Sequence, residues 1–273
     1  MIAYSPDVSY VHEPFSVDHH PGIFAARVPY WFLYVTKENQ DLYYEDFRRT
    51  LGFRYRPVAE LRAIRKPRHA TRLVRDGGRF MTSRLRGTRT LIKDPLAFFA
   101  AEWLAQSFAM QVVVLIRHPA AFAASWLRLG YRHPFEHFLE QPALMRDHLE
   151  IFEPEIRTLA NANGSPLAEA ALLWRILAST FLTYQERHPG WFFTRYEDLC
   201  QAPNANFRAL FDHLGLEFTP NIQTRLTAAT KPNLDGWRSQ LSLDEVKFLR
   251  DRVEELSERF YPTATWTGFS RDA

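Results

Sequence analysis

Apolar residues along the chain fall into two periods. Four short runs, "VSYV" (Val8 to Val11), "RTLI" (Arg89 to Ile92), "VVVLI" (Val112 to Ile116) and "WFFT" (Trp191 to Thr194), have the length and the β-branched or aromatic content of strands. Longer stretches with helical spacing lie between them. Leu173, Ile176, Leu177, Thr180, Phe181 and Tyr184 recur at helical intervals, as do Val246, Leu249, Val253, Leu256 and Phe260 after a capping box at Ser242 and Glu245. This alternation predicts an α/β fold with a parallel sheet. The unbroken apolarity of "VVVLI" predicts a central strand covered on both faces. Arg79 to Arg89 and Glu140 to Ser165 carry little pattern and are expected to be loops or substrate-facing insertions. No repeat or low-complexity tract interrupts the chain, so residues 1–273 read as one domain.

Composition narrows the classes. At 273 residues, 46% of them hydrophobic, the chain can bury a substantial core. No apolar run approaches the ~20 residues that span a bilayer, and the N-terminus lacks a basic segment followed by an apolar core and cleavage site. The reading is a soluble, cytoplasmic protein with no membrane partner. Cys200 is the only cysteine, which excludes an intrachain disulfide, and neither it nor the adjacent His19 and His20 has metal-ligand spacing, so no metal is expected. The net charge of +3 hides a basic segment from Arg48 to Lys93, with 15 Lys/Arg against Glu60 and Asp76 alone. Such a run either faces an anionic neighbour or forms a solvated connection. Nucleic acid is disfavoured, because zinc-finger spacing, an aromatic RNA-binding motif and a helix-turn-helix signal are all missing.

The stretch "VVVLIRHPAAFAAS", Val112 to Ser125, carries the candidate chemistry. A buried parallel strand ending at Ile116 puts Arg117 at its carboxyl end, where open α/β sheets place ligands. Pro119 suits the first turn of a following helix, since its missing N–H would have no intrahelical partner. Free N–H groups, the positive end of the helix dipole and a forked guanidinium together make an anion site. Ser125, eight residues beyond Arg117, can add a hydroxyl from the same helix. The competing reading is an ordinary strand end with a solvated arginine and a packed serine.

Arg-x-Pro with Ser eight residues after the arginine resembles the 3′-phosphate-binding segment of sulfotransferases that use 3′-phosphoadenosine 5′-phosphosulfate (PAPS). Further matches run in order along nearly the whole chain: "YVHEPF" at Tyr10, "IKDP" at Ile92, "RYEDL" at Arg195 and "GWRSQLS" at Gly236. The likeness is to the bacterial-type branch with a Glu-Pro-Phe motif. It implies a three-layer, P-loop NTPase-like α/β fold, a parallel central sheet flanked by helices. It also implies that Arg117 and Ser125 hold the nucleotide's 3′-phosphate, that Tyr196 contacts the adenine side, and that Lys231 in "TKPNLDGWRSQLS" is a further phosphate contact. Trp237 and Arg238 occupy the positions of the family's Trp-Lys pair, and the usual consecutive Arg-Lys-Gly is missing.

The resemblance implies transfer of a sulfo group from PAPS to a hydroxyl of a small-molecule or carbohydrate acceptor, releasing 3′,5′-ADP. Such a transfer needs in-line alignment, charge stabilisation at the leaving oxygen and a base. Glu13, just after the first strand, is the leading base and Asp94 the second choice, because Pro95 replaces the histidine of other branches. Fixing the loop beside Pro14 is the alternative role for Glu13. The family's Pro-x-Ser-Gly-Thr-like loop for the 5′-phosphosulfate, and any GxxxxGK[ST], are missing from the sequence. The match therefore implies a domain without its first strand and phosphate loop. The expectation is an internal start at Met1, and the alternative is a catalytically inactive nucleotide-binding or interaction protein.

Overall fold

The computed structural model describes residues 1–18, 20–64, 67–161, 164–229 and 233–266, which divide into two compact units, Met1–Met110 and Gln111–Ala273. All four strands form where the apolar runs predict them: β1 (Val8–His12) and β2 (Arg89–Lys93) in the first unit, β3 (Val113–Ile116) and β4 (Phe192–Arg195) in the second. Each unit holds one parallel pair, with Val8 opposite Arg89 and Val113 opposite Phe192. Helices dominate around these small ladders, so the chain is α/β. β3 departs from the expected cover on both faces. Val114 and Ile116 are buried, but Leu115 points the other way and is 51% exposed. Among the described residues, no helix is long and apolar enough to cross a membrane.

In the first unit, α1 (Tyr44–Leu51), α2 (Pro57–Ala63), α3 (Pro67–Arg86) and α4 (Ala101–Phe108) surround an aromatic core. Phe47 of α1 is fully buried, with its ring 5.6 Å from Phe15, 5.7 Å from Trp103 and 5.1 Å from Phe108. Helix α3 corrects the expectation of a loop from Arg79. It runs unbroken to Arg86, since arginine is a good helix former. One inward ring, Phe80, anchors it at 5.6 Å from both Phe53 and Tyr55.

The second unit contains α5 (Pro119–Leu129), α6 (Glu136–Leu139), α7 (Pro142–Leu144), α8 (Glu153–Asn161), α9 (Pro166–Arg187), α10 (Tyr196–Gln201), α11 (Pro203–His213), α12 (Pro220–Ala229) and α13 (Leu243–Ser257). Helix α9 buries Leu173, Ile176, Phe181 and Tyr184, the face its spacing predicts. Both halves of the α13 capping box are present: Glu245 N–H donates to Ser242 Oγ at 3.2 Å, and Ser242 N–H to Glu245 Oε2 at 2.7 Å. Helices α5 and α13 both pack on α9. The expected loop from Glu140 is instead a chain of short turns. Leu144, Leu149, Phe152 and Ile156 are all buried, yet they are spaced by five, three and four residues. No single helical period serves that spacing, and a π turn at Met145–Leu149 absorbs the five-residue step.

Truncating the ring at the centre of the first unit, Phe47→Ala, is expected to cost about 3–5 kcal/mol. Denaturant unfolding of that unit measures it, and a loss below about 1 kcal/mol would contradict this packing.

Candidate functional site

The strand–turn–helix at β3 and α5 is fixed by partners on every side. Trp174 Nε1 of α9 donates to the Arg117 carbonyl at 2.8 Å. The His118 N–H donates to Glu197 Oε1 at 3.0 Å, and the Ala120 N–H donates back to the His118 ring Nδ1 at 3.2 Å. Pro119 has no N–H to offer. The first donors of the turn are thus taken within the protein, which corrects the expectation that they face an anion. Glu197 already supplies the negative charge that the start of α5 favours.

His118 is 4% exposed and sits in an aromatic box. Its ring stacks on Trp237 at 5.3 Å and 11°, and meets Tyr261 at 4.9 Å and Trp266 at 4.7 Å. Because Nδ1 accepts, the ring proton lies on Nε2, which faces Thr265 Oγ1 at 3.3 Å. That hydroxyl donates onward to the Pro262 carbonyl at 2.7 Å. Burial, reinforced by the Arg238 charge and opposed by Asp235, pushes the His118 pKa down to about 3, so the ring is neutral. Tyr261 closes the network by donating to Glu197 Oε2 at 2.8 Å.

Beside this turn lies a cavity of about 170 Å³ along the flank of α5. One wall is Arg117 from the turn before α5, with Ala121, Ala124, Ser125 and Arg128, a stripe at helical spacing on α5 in which the two alanines leave room. The facing wall is Asn233, Gly236, Trp237 and Gln240. A Cβ on Gly236 would lie 2.7 Å from the Asn233 carboxamide. The Arg117 Nε is buried without a hydrogen-bond partner. The Arg117 guanidinium stands 5.1 Å over the Tyr196 ring. The Tyr196 hydroxyl is held above its ordinary pKa by its hydrogen bond with Cys200 and then by burial, so the ring under the guanidinium is a neutral phenol.

Arg117 and Ser125 therefore share one cavity, and Tyr196 supports the arginine from beneath. Arg238 is turned elsewhere: it pairs with Asp235 at 2.9 Å and donates to the Thr265 carbonyl at 3.0 Å. Lys231 and His19 lie outside the described residues. Among the described residues, no group of three His, Cys, Asp or Glu side chains is placed to hold a metal.

Glu13 belongs to the first unit, where β1 ends. It adopts a left-handed φ of 40°, uncommon for a residue with a side chain, and its Oε1 accepts from Lys93 Nζ at 2.6 Å. Asp94 is spoken for by the backbone. Its Oδ2 accepts from the Phe15 N–H at 2.7 Å and its Oδ1 from the Leu96 N–H at 2.9 Å, tying the Glu-Pro-Phe loop to the end of β2. Burial, against those hydrogen bonds, raises the Asp94 pKa to about 6. Of the two base candidates, Glu13 presents the less committed carboxylate.

Two residues escape a reading of the sequence alone. Arg128 had a usable signal, since it stands one turn after Ser125 on the same helix face. His118 had none, because its partners come from residues 237–266. Comparisons of the chain with family models, curated proteins and solved structures find no match.

The buried neutral imidazoles predict acid sensitivity. The folded pKa of about 3 at His118 lies below the ~6.5 of an unfolded histidine. The unfolded chain therefore takes up the proton first, and stability present above pH 6.5 is lost as pH falls towards 3, by up to roughly 1.4 kcal/mol per pH unit. His133, pushed to about 3 by burial and by His137, acts in the same direction, and the raised Asp94 acts in the opposite one. Urea unfolding from pH 7 to 4 should show a shallower acid loss in His118→Asn, which keeps a helix-capping acceptor without the imidazole. An unchanged slope would contradict this account of His118.

Proposed function

We propose that the chain is a PAPS-dependent sulfotransferase, with the cavity beside α5 as its nucleotide 3′-phosphate site. One observation carries the reading: Arg117, whose Nε is buried without a partner, and Ser125 line the same polar cavity on one strand–turn–helix. A buried donor without a partner is costly, and a bound phosphate offsets that cost by accepting a charge-assisted hydrogen bond from the Arg117 Nε. The cavity suits a phosphate group rather than a whole nucleotide, being smaller than the ~300–1,000 Å³ of a typical ligand pocket.

In the proposed reaction, the acceptor oxygen forms a bond to the sulfur of PAPS while the bond from sulfur to the 5′-phosphate oxygen breaks. 3′,5′-ADP leaves with that electron pair. The acceptor proton passes to the Glu13 carboxylate, which Lys93 orients. A hydroxyl compound, small or carbohydrate, is the proposed acceptor. A second reading, a nucleotide-binding protein without transfer activity, is favoured by one feature: no glycine-rich phosphate loop occurs in the sequence.

Titration calorimetry with 3′,5′-ADP tests the binding step. Arg117→Ala should weaken binding about 10- to 100-fold, from the loss of a charged hydrogen-bonding group worth ~1.5–3 kcal/mol. Equal affinity in the variant would refute the assignment. Release of 3′,5′-ADP from PAPS in the presence of hydroxyl acceptors, abolished by Glu13→Gln, separates the transferase from the binding protein.

A further inference from the structure

The charge balance around α5 leaves one arginine besides Arg117 unaccounted for. Elsewhere in the second unit, Arg132, Arg157, Arg175, Arg195 and Arg250 each hold a carboxylate, and Arg208 and Arg252 lie over the rings of Phe218 and Phe248. Among the described residues, neither Arg117 nor Arg128 holds one, and the two line the same cavity. No carboxylate lines it with them; Asn233 and Gln240 on the facing wall are neutral carboxamides. Two arginines without a carboxylate partner thus line one space of about 170 Å³.

Arg117 lies in the turn before α5 and Arg128 in the last turn of that helix, and both line the cavity. Ala121 and Ala124 fill the middle with nothing longer than a methyl group, so both long side chains can lean over them from opposite ends. Ser125 lies between, one turn from Arg128. Arg117, Ser125 and Arg128 thus share the lining of one cavity.

We infer that Arg128 is the second jaw of a two-guanidinium clamp, which makes the cavity selective for a phosphate monoester dianion over singly charged anions. The inference rests on the reading of this cavity as a phosphate site. A phosphate monoester carries about −1.5 to −2 at pH 7 and matches the paired cations. A phosphodiester carries one charge and leaves one guanidinium unneutralised. Arg128 is therefore a specificity-determining residue, while Arg117 and Ser125 provide the common grip.

Two ligands of nearly equal size test this: adenosine 3′-phosphate, a monoester, and adenosine 2′,3′-cyclic phosphate, a singly charged diester. At pH 7.5 the intact chain should prefer the monoester by about tenfold or more. In Arg128→Ala that preference should fall below about threefold, through loss of monoester affinity alone, whereas Arg117→Ala should weaken both ligands. Arg128 is exposed on a helix, so the alanine variant should keep its unfolding midpoint, and Arg128→Gln serves as a second variant with a similar side-chain length. A preference that survives in both Arg128 variants, or an equal loss for both ligands, would overturn the clamp while leaving the phosphate site intact. Failure of the intact chain to bind either ligand would overturn the phosphate reading and the clamp with it.

Discussion

One neutral imidazole joins the two walls of the candidate site. His118 caps the helix that starts one residue later, accepting the Ala120 N–H with one ring nitrogen and facing the Thr265 hydroxyl with the other. Its face lies on Trp237, which belongs to the opposite wall of the cavity. The ring can do this only without charge, since a protonated Nδ1 would no longer accept. The low pKa of His118 is the electrostatic counterpart of its burial, and the spacing of the cavity walls depends on it.

Glu197 and His118 occupy the His118 and Ala120 N–H groups at the beginning of α5. The charge available to a ligand has moved along the flank, to guanidiniums at either end of an alanine stripe. This differs from a phosphate site at a helix start, where backbone N–H groups do most of the holding. In the proposed site, side chains would do it. Such a site gains fork geometry and selectivity for charge, and it depends on the rigidity of the scaffold that carries those side chains. The bonds from Trp174 to Arg117 and from His118 to Glu197 supply that rigidity.

Much of this was legible in the sequence where a local rule decides structure. Short β-branched and aromatic runs marked all four strands. Pro119 marked the start of α5, Ser242 and Glu245 the start of α13, and Arg117 with Ser125 one wall of the cavity. Reading failed where partners distant in sequence decide. The arginine-rich stretch after Gly77 and Gly78 looked irregular, yet Phe80 anchors its helix between two rings and Arg79 donates to the Tyr10 carbonyl. Leu144 to Ile156 had no single period because the backbone there changes helix type, which keeps Leu144, Leu149, Phe152 and Ile156 inside. The rings that enclose His118, Trp237, Tyr261 and Trp266, lie more than 115 residues away, beyond the reach of any local pattern. Leu115 misled for another reason: continuous apolarity implied two covered faces, and one of them is open.

The first unit shows a similar economy at Glu13. A left-handed backbone costs about 1–3 kcal/mol, and it persists where surrounding bonds over-determine it. The Glu13 N–H donates to the Lys93 carbonyl at 3.3 Å, and the Ser16 N–H donates to the Glu13 carbonyl at 3.1 Å. With Asp94 holding Phe15, these bonds turn the Glu13 carboxylate onto Lys93 at the carboxyl ends of a parallel pair. The account as a whole stands or falls on what Arg117 and Ser125 hold. A crystal structure of the chain with 3′,5′-ADP should place the 3′-phosphate within hydrogen-bonding distance of both side chains. Nucleotide bound elsewhere, with this cavity left to solvent, would contradict it.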